Sequence, residues 1–571
     1  MIVVDRIRIK GFRSIQTLQM PLGRSSVLLG TNNSGKSTVL KALELALSDE
    51  MAVSQEDFHV DESGCFAREL CVDIRFVPIN DQSQRLSLFS EQWQKVFSGV
   101  VRRDQYRREY VAFRTVFRRM EDGTIEKRRY EVIHWDAARL GKELSALPSS
   151  LYFVSIDAEE NLREDLQNEH SFVSVMVRRL GLALEQHPDY AQKPIDDLRK
   201  LLDSLCQSLE GPGARLPDDV ALTADNINEF FSLVKSDSEK IIPYSTLQGK
   251  GSQKSVAILS IIILVDLLAK QAAFTHQPFF MLMAAEEPEI HLHPNAQRAL
   301  MSQIKALSHQ CVVSTHSPYI ASVSEPHEFR SMRRLGPSIE VRWLPQNMDE
   351  IETRTIKRLI LRFRGETLFA RGLIFVEGVT EEQLIRGMFQ AYFGDDPSTF
   401  GISIVGVDGK SYAPFLTLAL SLHKPFCVIS DNDGDARHVV LKQLSETERR
   451  LHCSAKDYQS GVYFLSPGLA MEGELVYKTQ LRREILDALK LCNTSVNTSA
   501  KAKRLQHERL SSMTDRDLKR RLEKRKAEYS GFLGDIIAQN PYAQPVENLL
   551  PRSVLEAFKQ ISVWLGRKDP T

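Results

Sequence analysis

The chain has 571 residues, 42% hydrophobic and 26% charged, with 74 basic and 74 acidic side chains that cancel. That apolar fraction excludes disorder as the main state, and about 150 residues per domain points to between about two and four domains. Zero net charge excludes a uniformly basic nucleic-acid coat, so any DNA contact must come from local patches. Seven cysteines, an odd number with no CxxC pair, argue against a zinc ribbon or a disulfide framework and fit a reducing compartment. The first stretch, MIVVDRIRIKGFRS, has charges through its apolar positions and no cleavage-site pattern. The longest apolar run, Val256 to Val265, is about half a membrane span. A cytoplasmic protein with no membrane contact is expected.

In chain order, Val3 to Ile9 and Ser26 to Leu29 predict strands, and Ser37 to Leu47 predicts a helix. From about 69 to 135 the pattern is β-rich, and it alternates on both sides of Asp122-Gly123, a hairpin signal. Residues 160–235 change to helical periodicity and predict an inserted arm or dimerisation element. Strand and helix signals resume from 240 to 320. A second unit begins near 368. Gly372 to Val376 predicts a strand, Glu381 to Phe393 a helix, Ile402 to Val407 a strand, 412–422 a helix and Pro425 to Ser430 a strand. That βαβαβ order implies a parallel sheet. The segment 501–526 holds eleven Lys or Arg against four acids and predicts an exposed basic helix. With the basic stretch at 102–129 it is a candidate contact to a DNA backbone.

The segment Gly30 to Ser37, GTNNSGKS, matches the phosphate-loop pattern GxxxxGK[ST] between an apolar strand and a helix, the context the motif requires. Asn32, Asn33, Ser34, Gly35, Lys36, Ser37 and Thr38 are the candidate nucleotide-binding residues. Glycines let backbone N–H groups close around phosphates, and the helix N-terminus adds positive potential. Lys36 would reach the β and γ phosphates of ATP, and the Ser37 hydroxyl would bind Mg²⁺. Phe279 to Glu289, FFMLMAAEEPE, reads as an apolar strand ending in carboxylates: Glu286 to hold the Mg²⁺ shell, Glu287 to polarise the attacking water. In CVVSTHSP, His316 ends another apolar strand and could sense the γ-phosphate, although a lone histidine there is usually structural.

The second unit also has acids at its strand ends. FVEGVTEE places Glu377 after one strand and Glu381 one helical turn on, and FCVISDNDGD places Asp431, Asp433 and Asp435 after another. Ligand sites in open parallel sheets form at the carboxyl ends of strands, so these acids can converge. Clustered carboxylates raise one another's pKa unless a cation is present, and hard oxygen ligands suit Mg²⁺ or Mn²⁺. Either segment alone is also compatible with helix caps, a turn or a calcium loop.

Together these residues carry a resemblance. FRS (Phe12 to Ser14), GTNNSGKS, EEPEIHLHP and STHSP resemble the ABC-type ATPases of the SMC and RecF group, and the EEPE and THSP forms are most similar to the overcoming-lysogenization-defect (OLD) family. In such ATPases a signature segment of one subunit completes the other's site. Leu247 to Ser255, LQGKGSQKS, lies in the corresponding interval and departs from LSGGQ, with Gly251 and Gln253 as its nucleotide-contacting residues. Gln55 in SQEDFH is the candidate glutamine-loop residue. The glutamate-then-DxD order of the second unit resembles a TOPRIM domain, which OLD-family nucleases join to this same ATPase.

The resemblance implies an α/β fold: an N-terminal ABC/SMC-like phosphate-loop ATPase over 1–355 with a helical insert at about 160–235, then a Rossmann-like TOPRIM nuclease domain over 368–571 with a C-terminal helical extension. It implies Glu377, Glu381, Asp431 and Asp433 as metal-binding acids, Ser430 as the small polar residue before the DxD, and a further acid at Glu472, with Glu474 the alternative. A late basic residue near the scissile phosphate is expected at Lys526, with Lys524 and Arg525 as rivals. The activity implied is an ATP-dependent or ATP-regulated DNA endonuclease using Mg²⁺ or Mn²⁺, in bacterial anti-phage defence or DNA processing. The partners implied are double-stranded DNA and further copies of the chain, as a dimer or larger oligomer through the ATPase part. A protein from the same operon is a further partner to look for. Two rival readings are a topoisomerase or primase, and an ATP-driven DNA clamp whose TOPRIM unit does not cleave.

Overall fold

The computed structural model describes residues 1–48, 53–156, 269, 272–273, 276–492 and 508–567, apart from 62, 291, 308, 336–337, 346–347 and 363–364. The insert expected at 160–235 and the segment holding Gly251 and Gln253 lie outside the described residues. The chain divides into two compact units, Met1–Val341 and Arg342–Thr571. Among the described residues no helix is long and apolar enough to cross a membrane.

The first unit holds two sheets. One is built from β1 (Ile2–Phe12), β2 (Ile15–Pro21), β4 (Glu69–Pro78), β5 (Arg102–Arg103), β6 (Glu109–Arg119), β7 (Ile125–His134) and β8 (Arg139–Glu143). Its order is β2-β1-β4-β6-β7-β8, with β5 on β6, and its strand pairs are antiparallel. The expected hairpin is present: β6 and β7 turn at Asp122-Gly123, where Gly123 takes φ 85° and Asp122 Oδ1 accepts the Thr124 N–H at 2.9 Å. The other sheet runs β13-β12-β3-β11-β10-β9, from β3 (Ser25–Leu29), β9 (Leu151–Ile156), β10 (Phe280–Glu286), β11 (Gln310–Ser314), β12 (Phe329–Leu335) and β13 (Ser338–Arg342). It is parallel from β9 to β12. The helix Lys36–Leu47 buries Val39, Leu40, Leu43 and Ala46 in one core with Ile7 and Ile74 of the antiparallel sheet and Leu28, Leu282 and Val312 of the parallel one.

The basic stretch at 102–129 is not the open cationic strip that its sequence suggests. Arg114 makes two bonds to Asp73 at 2.6 and 2.8 Å, Arg118 pairs with Glu69, Arg128 with Glu126 at 2.7 Å, Arg102 with Glu131, and Arg108 with Asp104 at 3.3 Å. Sheet pairing lays β4 beside β6 and so sets Glu69 and Asp73 opposite the arginines.

The second unit has the expected βαβαβ order. β14 (Gly372–Val376), β15 (Ile402–Gly406), β16 (Phe426–Ser430) and β17 (Gly461–Phe464) form a parallel sheet in the order β15-β14-β16-β17. Alternation sends Ile374, Val376, Cys427 and Ile429 into a core with the C-terminal helices, while Phe375 meets Phe415 in helix Ala413–Ser421 and Phe426 beside it in the sheet. The helix Glu350–Arg362 falls in this unit rather than straddling residue 355, because Glu352 accepts from Thr417 at 2.5 Å and from Arg450 at 2.6 and 2.8 Å.

The C-terminal helix Lys526–Gln539 packs on helix Val379–Phe393 at a crossing that only glycine allows: a Cβ on Gly387 would lie 2.1 Å from the Gly534 carbonyl oxygen. Ser530 donates to the Gln383 side-chain oxygen at the same crossing. The basic run before it is not one exposed helix. Helix Asp515–Lys524 buries Leu518 and Leu522, and the chain breaks at Arg525 before the next helix starts. Its leucines, spaced four apart, face the core, so this helix has an apolar side as well as a basic one.

Candidate functional sites

In the first unit, β3, β11 and β10 lie side by side and parallel, so three loops leave one sheet edge together. The loop after β3 is Gly30 to Ser34, closed by Asn33 at φ 64° and Gly35 at φ 92°. Gly30 is required by space, since a Cβ there would lie 2.4 Å from the Met332 carbonyl oxygen. Lys36 and Thr38 are buried at the start of the following helix, and Ser14 of the FRS turn lies 3.5 Å from the Thr38 hydroxyl. Gln55 opens a short turn whose Asp57 carbonyl accepts the Arg13 N–H at 2.8 Å, so it sits beside that FRS turn.

The carboxylates and the histidine come to the same place. The Ser37 hydroxyl donates to Glu286, the last residue of β10. Lys36 Nζ donates to the Gly30 and Thr31 carbonyls at 3.0 and 3.2 Å and lies 2.8 Å from His316 Nε2, so its three protons have three acceptors. Burial lowers the Lys36 pKa against the raising charges of Glu287, Glu286 and Glu289. Burial and then the Lys36 charge lower His316, consistent with a neutral ring that accepts from the ammonium. Glu287 lies 3.4 Å from the same imidazole nitrogen and takes φ 40°, a strained conformation for a residue with a Cβ. Its N–H donates to the Ser314 carbonyl at 3.0 Å, which ties the β10 end to the β11 end.

Sequence reasoning missed Glu289. This buried carboxylate accepts from Thr315 Oγ1 at 2.7 Å, from the His316 N–H at 2.8 Å and from the Ser317 N–H at 3.1 Å, and so shapes the turn that carries His316. Its signal was present as the last residue of EEPE, but only the fold brings that turn to Thr315.

In the second unit, β14 and β16 are neighbours, so Glu377 and Asp431 leave the sheet side by side. Glu381 is buried in the first turn of helix Val379–Phe393, and Glu472 in the first turn of helix Met471–Tyr477. The Met471 N–H donates to Asp431 Oδ1 at 3.1 Å, which sets Glu472 next to it. Burial first, then the charges of Glu377, Glu381, Glu472 and Asp433, push the Asp431 carboxyl up to about 8. The structure therefore brings together all five expected acids. Glu474 is turned away, accepting the Ser466 N–H and hydroxyl at 3.0 Å each. Asp435 stands at the rim, paired with Lys410 at 3.0 Å, and the Asp433 and Glu377 charges also act on that lysine. Lys410, after β15, escaped sequence reasoning because no spacing ties it to the DxD. Ser430 is buried below the cluster, its hydroxyl 3.2 Å from the Asp431 carbonyl.

Lys526 opens the C-terminal helix, and its side chain lies outside what is described. Lys524 is exposed, and Arg525 pairs with Glu528 at 3.4 Å. The donor set of the cluster, carboxylates alone, fits hard divalent cations. A cluster that raises one member's pKa this far is relieved by any cation it takes up. Among the described residues no three of these side chains form a group that could hold a metal ion.

Residues 25–322 match the family described as "AAA domain, putative AbiEii toxin, Type IV TA system", and residues 368–433 match "Overcoming lysogenization defect protein-like, TOPRIM domain". The chain is 22% identical to the OLD nuclease of Thermus scotoductus (strain ATCC 700910 / SA-01) over 470 residues, covering 76% of this chain and 82% of that protein. It is 22% identical to the Old nuclease of Escherichia phage P2 over 441 residues, 71% of this chain and 72% of that one. The solved C-terminal region of the Burkholderia pseudomallei OLD protein aligns with 34% of this chain and 99% of its own length, at 22% identity and a TM-score of 0.25.

Proposed function

As the chain belongs to the AAA-domain family and, through its TOPRIM domain, to the OLD nucleases, we propose that it is an ATP-regulated, divalent-metal-dependent DNA endonuclease. The observation that carries the reading is the convergence of Glu377, Glu381, Asp431, Asp433 and Glu472 on one sheet edge, crowded enough to push Asp431 up to about 8. These acids would hold Mg²⁺ or Mn²⁺, which would polarise a phosphodiester and lower the pKa of a bound water. The chain's own part is positional. Parallel strands fix Glu377 and Asp431, two helix starts fix Glu381 and Glu472, and the rim lysine Lys410 offers positive charge to an approaching phosphate. Lys526 is the proposed basic residue beside the scissile bond.

At the first unit's edge, Lys36 and Ser37 would bind the phosphates and Mg²⁺ of ATP with Glu286, Glu287 would orient the attacking water, and His316 would contact the γ-phosphate. Binding requires Lys36 to exchange its carbonyl and imidazole acceptors for phosphate oxygens. Gly251 and Gln253 are proposed to complete the site of a second copy, which makes the working form a homodimer or larger oligomer. A role in anti-phage defence or DNA processing, and a partner from the same operon, belong to the same proposal.

The test is supercoiled plasmid incubated with Mg²⁺ or Mn²⁺, with and without ATP. Nicked or linear product that depends on metal supports the endonuclease. Topoisomer ladders would replace it with a topoisomerase, and a mobility shift without cleavage would replace it with a clamp.

A further inference from the structure

Tyr529 sits one turn into helix Lys526–Gln539, fully buried, its ring in the apolar core that the C-terminal helices share with the sheet. A phenylalanine would fill that space as well, so the hydroxyl needs its own reason. Buried hydroxyls ordinarily find an acceptor, because one left without costs free energy. Among the described residues the Tyr529 hydroxyl has no hydrogen-bond partner, and the charges that act on it are those of Glu472, Glu381 and Asp431. Carboxylates only accept, so a phenol hydroxyl beside them can only donate. Its position is fixed from two sides. The Gly387–Gly534 crossing sets the distance between its helix and the one carrying Glu381, and Ser530 is bonded to Gln383 next to it.

We propose that Tyr529 is a positioning residue of the acid site, whose hydroxyl donates to the Glu472 carboxylate and holds it in the orientation that ligates a divalent cation. The proposal rests on the reading of this cluster as a metal site. Without a cation the carboxylates repel one another, and among the described residues no three of them form a group that could hold a metal ion. A cation that drew Glu472 toward the other acids would bring this acceptor to the hydroxyl, and a group unsatisfied without the cation and bonded with it would favour the loaded arrangement.

The experiment uses the full chain with Tyr529→Phe, which removes the hydroxyl and keeps the ring. Mn²⁺ binding is followed by the loss of the free-ion electron paramagnetic resonance signal, and melting is recorded without metal. The expected result is a Mn²⁺ affinity about tenfold weaker, with a melting temperature in the absence of metal equal to or above the parent's. Cleavage should fall at limiting Mn²⁺ and recover at saturating Mn²⁺, with ATP hydrolysis unchanged. Parental Mn²⁺ affinity in the variant overturns the proposal, as does a sharp fall in metal-free melting, which would make the hydroxyl a feature of the fold alone. If the parent itself binds no Mn²⁺, the metal reading of the site fails first and this inference falls with it.

Discussion

Asp431 is poised between two states. Its folded pKa of about 8 lies above the ordinary carboxylate value, so its contribution to stability is complete below about pH 3.9 and is lost as pH rises through about 8. In metal-free buffer the parent should therefore lose stability progressively between about pH 4 and pH 8 relative to Asp431→Asn, with no further loss above that. The gap should be on the order of a few kcal/mol, read as a higher melting temperature for the variant at the alkaline end. Mn²⁺ should raise the parent's melting temperature and leave the variant's nearly unchanged. A parent that melts above the variant in metal-free alkaline buffer would show that the acids do not crowd one another. In the first unit, Lys36→Ala should lower ATP hydrolysis by about a hundredfold or more, since the phosphates would lose the ammonium held beside Gly30, Thr31 and His316. Steady-state phosphate release measures this.

At the scale of elements, a turn after β11 shapes one edge and a helix crossing supports the other. The turn at Thr315 to Ser317 hangs on one buried carboxylate, Glu289, through three donors. Glu289→Ala should leave the Thr315 hydroxyl and the His316 N–H without this acceptor and let His316 drift. ATP hydrolysis should then drop about tenfold to a hundredfold while nucleotide affinity, set by the phosphate loop, changes less. Equal losses in both, from nucleotide titration and turnover on one preparation, would make Glu289 a general stabiliser instead. The crossing is stricter. Gly387→Ala places a methyl 2.1 Å from the Gly534 carbonyl oxygen, so the helices must part. The expected cost is about 1–3 kcal/mol of stability, as for other overpacked contacts. Mn²⁺ affinity should fall with it, since Glu381 and Tyr529 ride on these two helices.

For the whole molecule, the two edges belong to separate compact units, each with its own acids and its own core. Asp431→Ala should eliminate plasmid cleavage while ATP hydrolysis persists near the parental rate. Full cleavage by this variant would sink the metal mechanism, and loss of both activities would mean that the cycles are coupled. Electrostatics at this scale differs from a count along the chain. Arg114 and Arg118 are matched by acids of the neighbouring strand, so DNA affinity should change little when the two are removed together with Asp73 and Glu69. A large fall in the salt dependence of binding would return that face to the DNA interface.

Both edges were legible in the sequence wherever a local rule places the residue. Strand-loop-helix chemistry locates Lys36 and Ser37, and continuous apolar runs that lead into acids locate Glu286, Glu377 and Asp431, because a buried parallel strand fixes where the residues at its carboxyl end emerge. The hairpin at Asp122-Gly123 followed from turn chemistry in the same way. Tertiary structure decided what depends on residues distant in sequence. It faced Glu472 toward Asp431 and turned Glu474 to Ser466, a choice made by the Met471 N–H bond, which no spacing encodes. It bound Glu289 to the His316 turn, spent Arg114 and Arg118 of β6 on acids of β4, and gave the helix at 515–524 a buried side. Local propensity sets which backbone forms; which charges meet is set by the packing of strands and helices whose partners lie tens to hundreds of residues away, and that is why the acid site was readable as a list but not as a geometry.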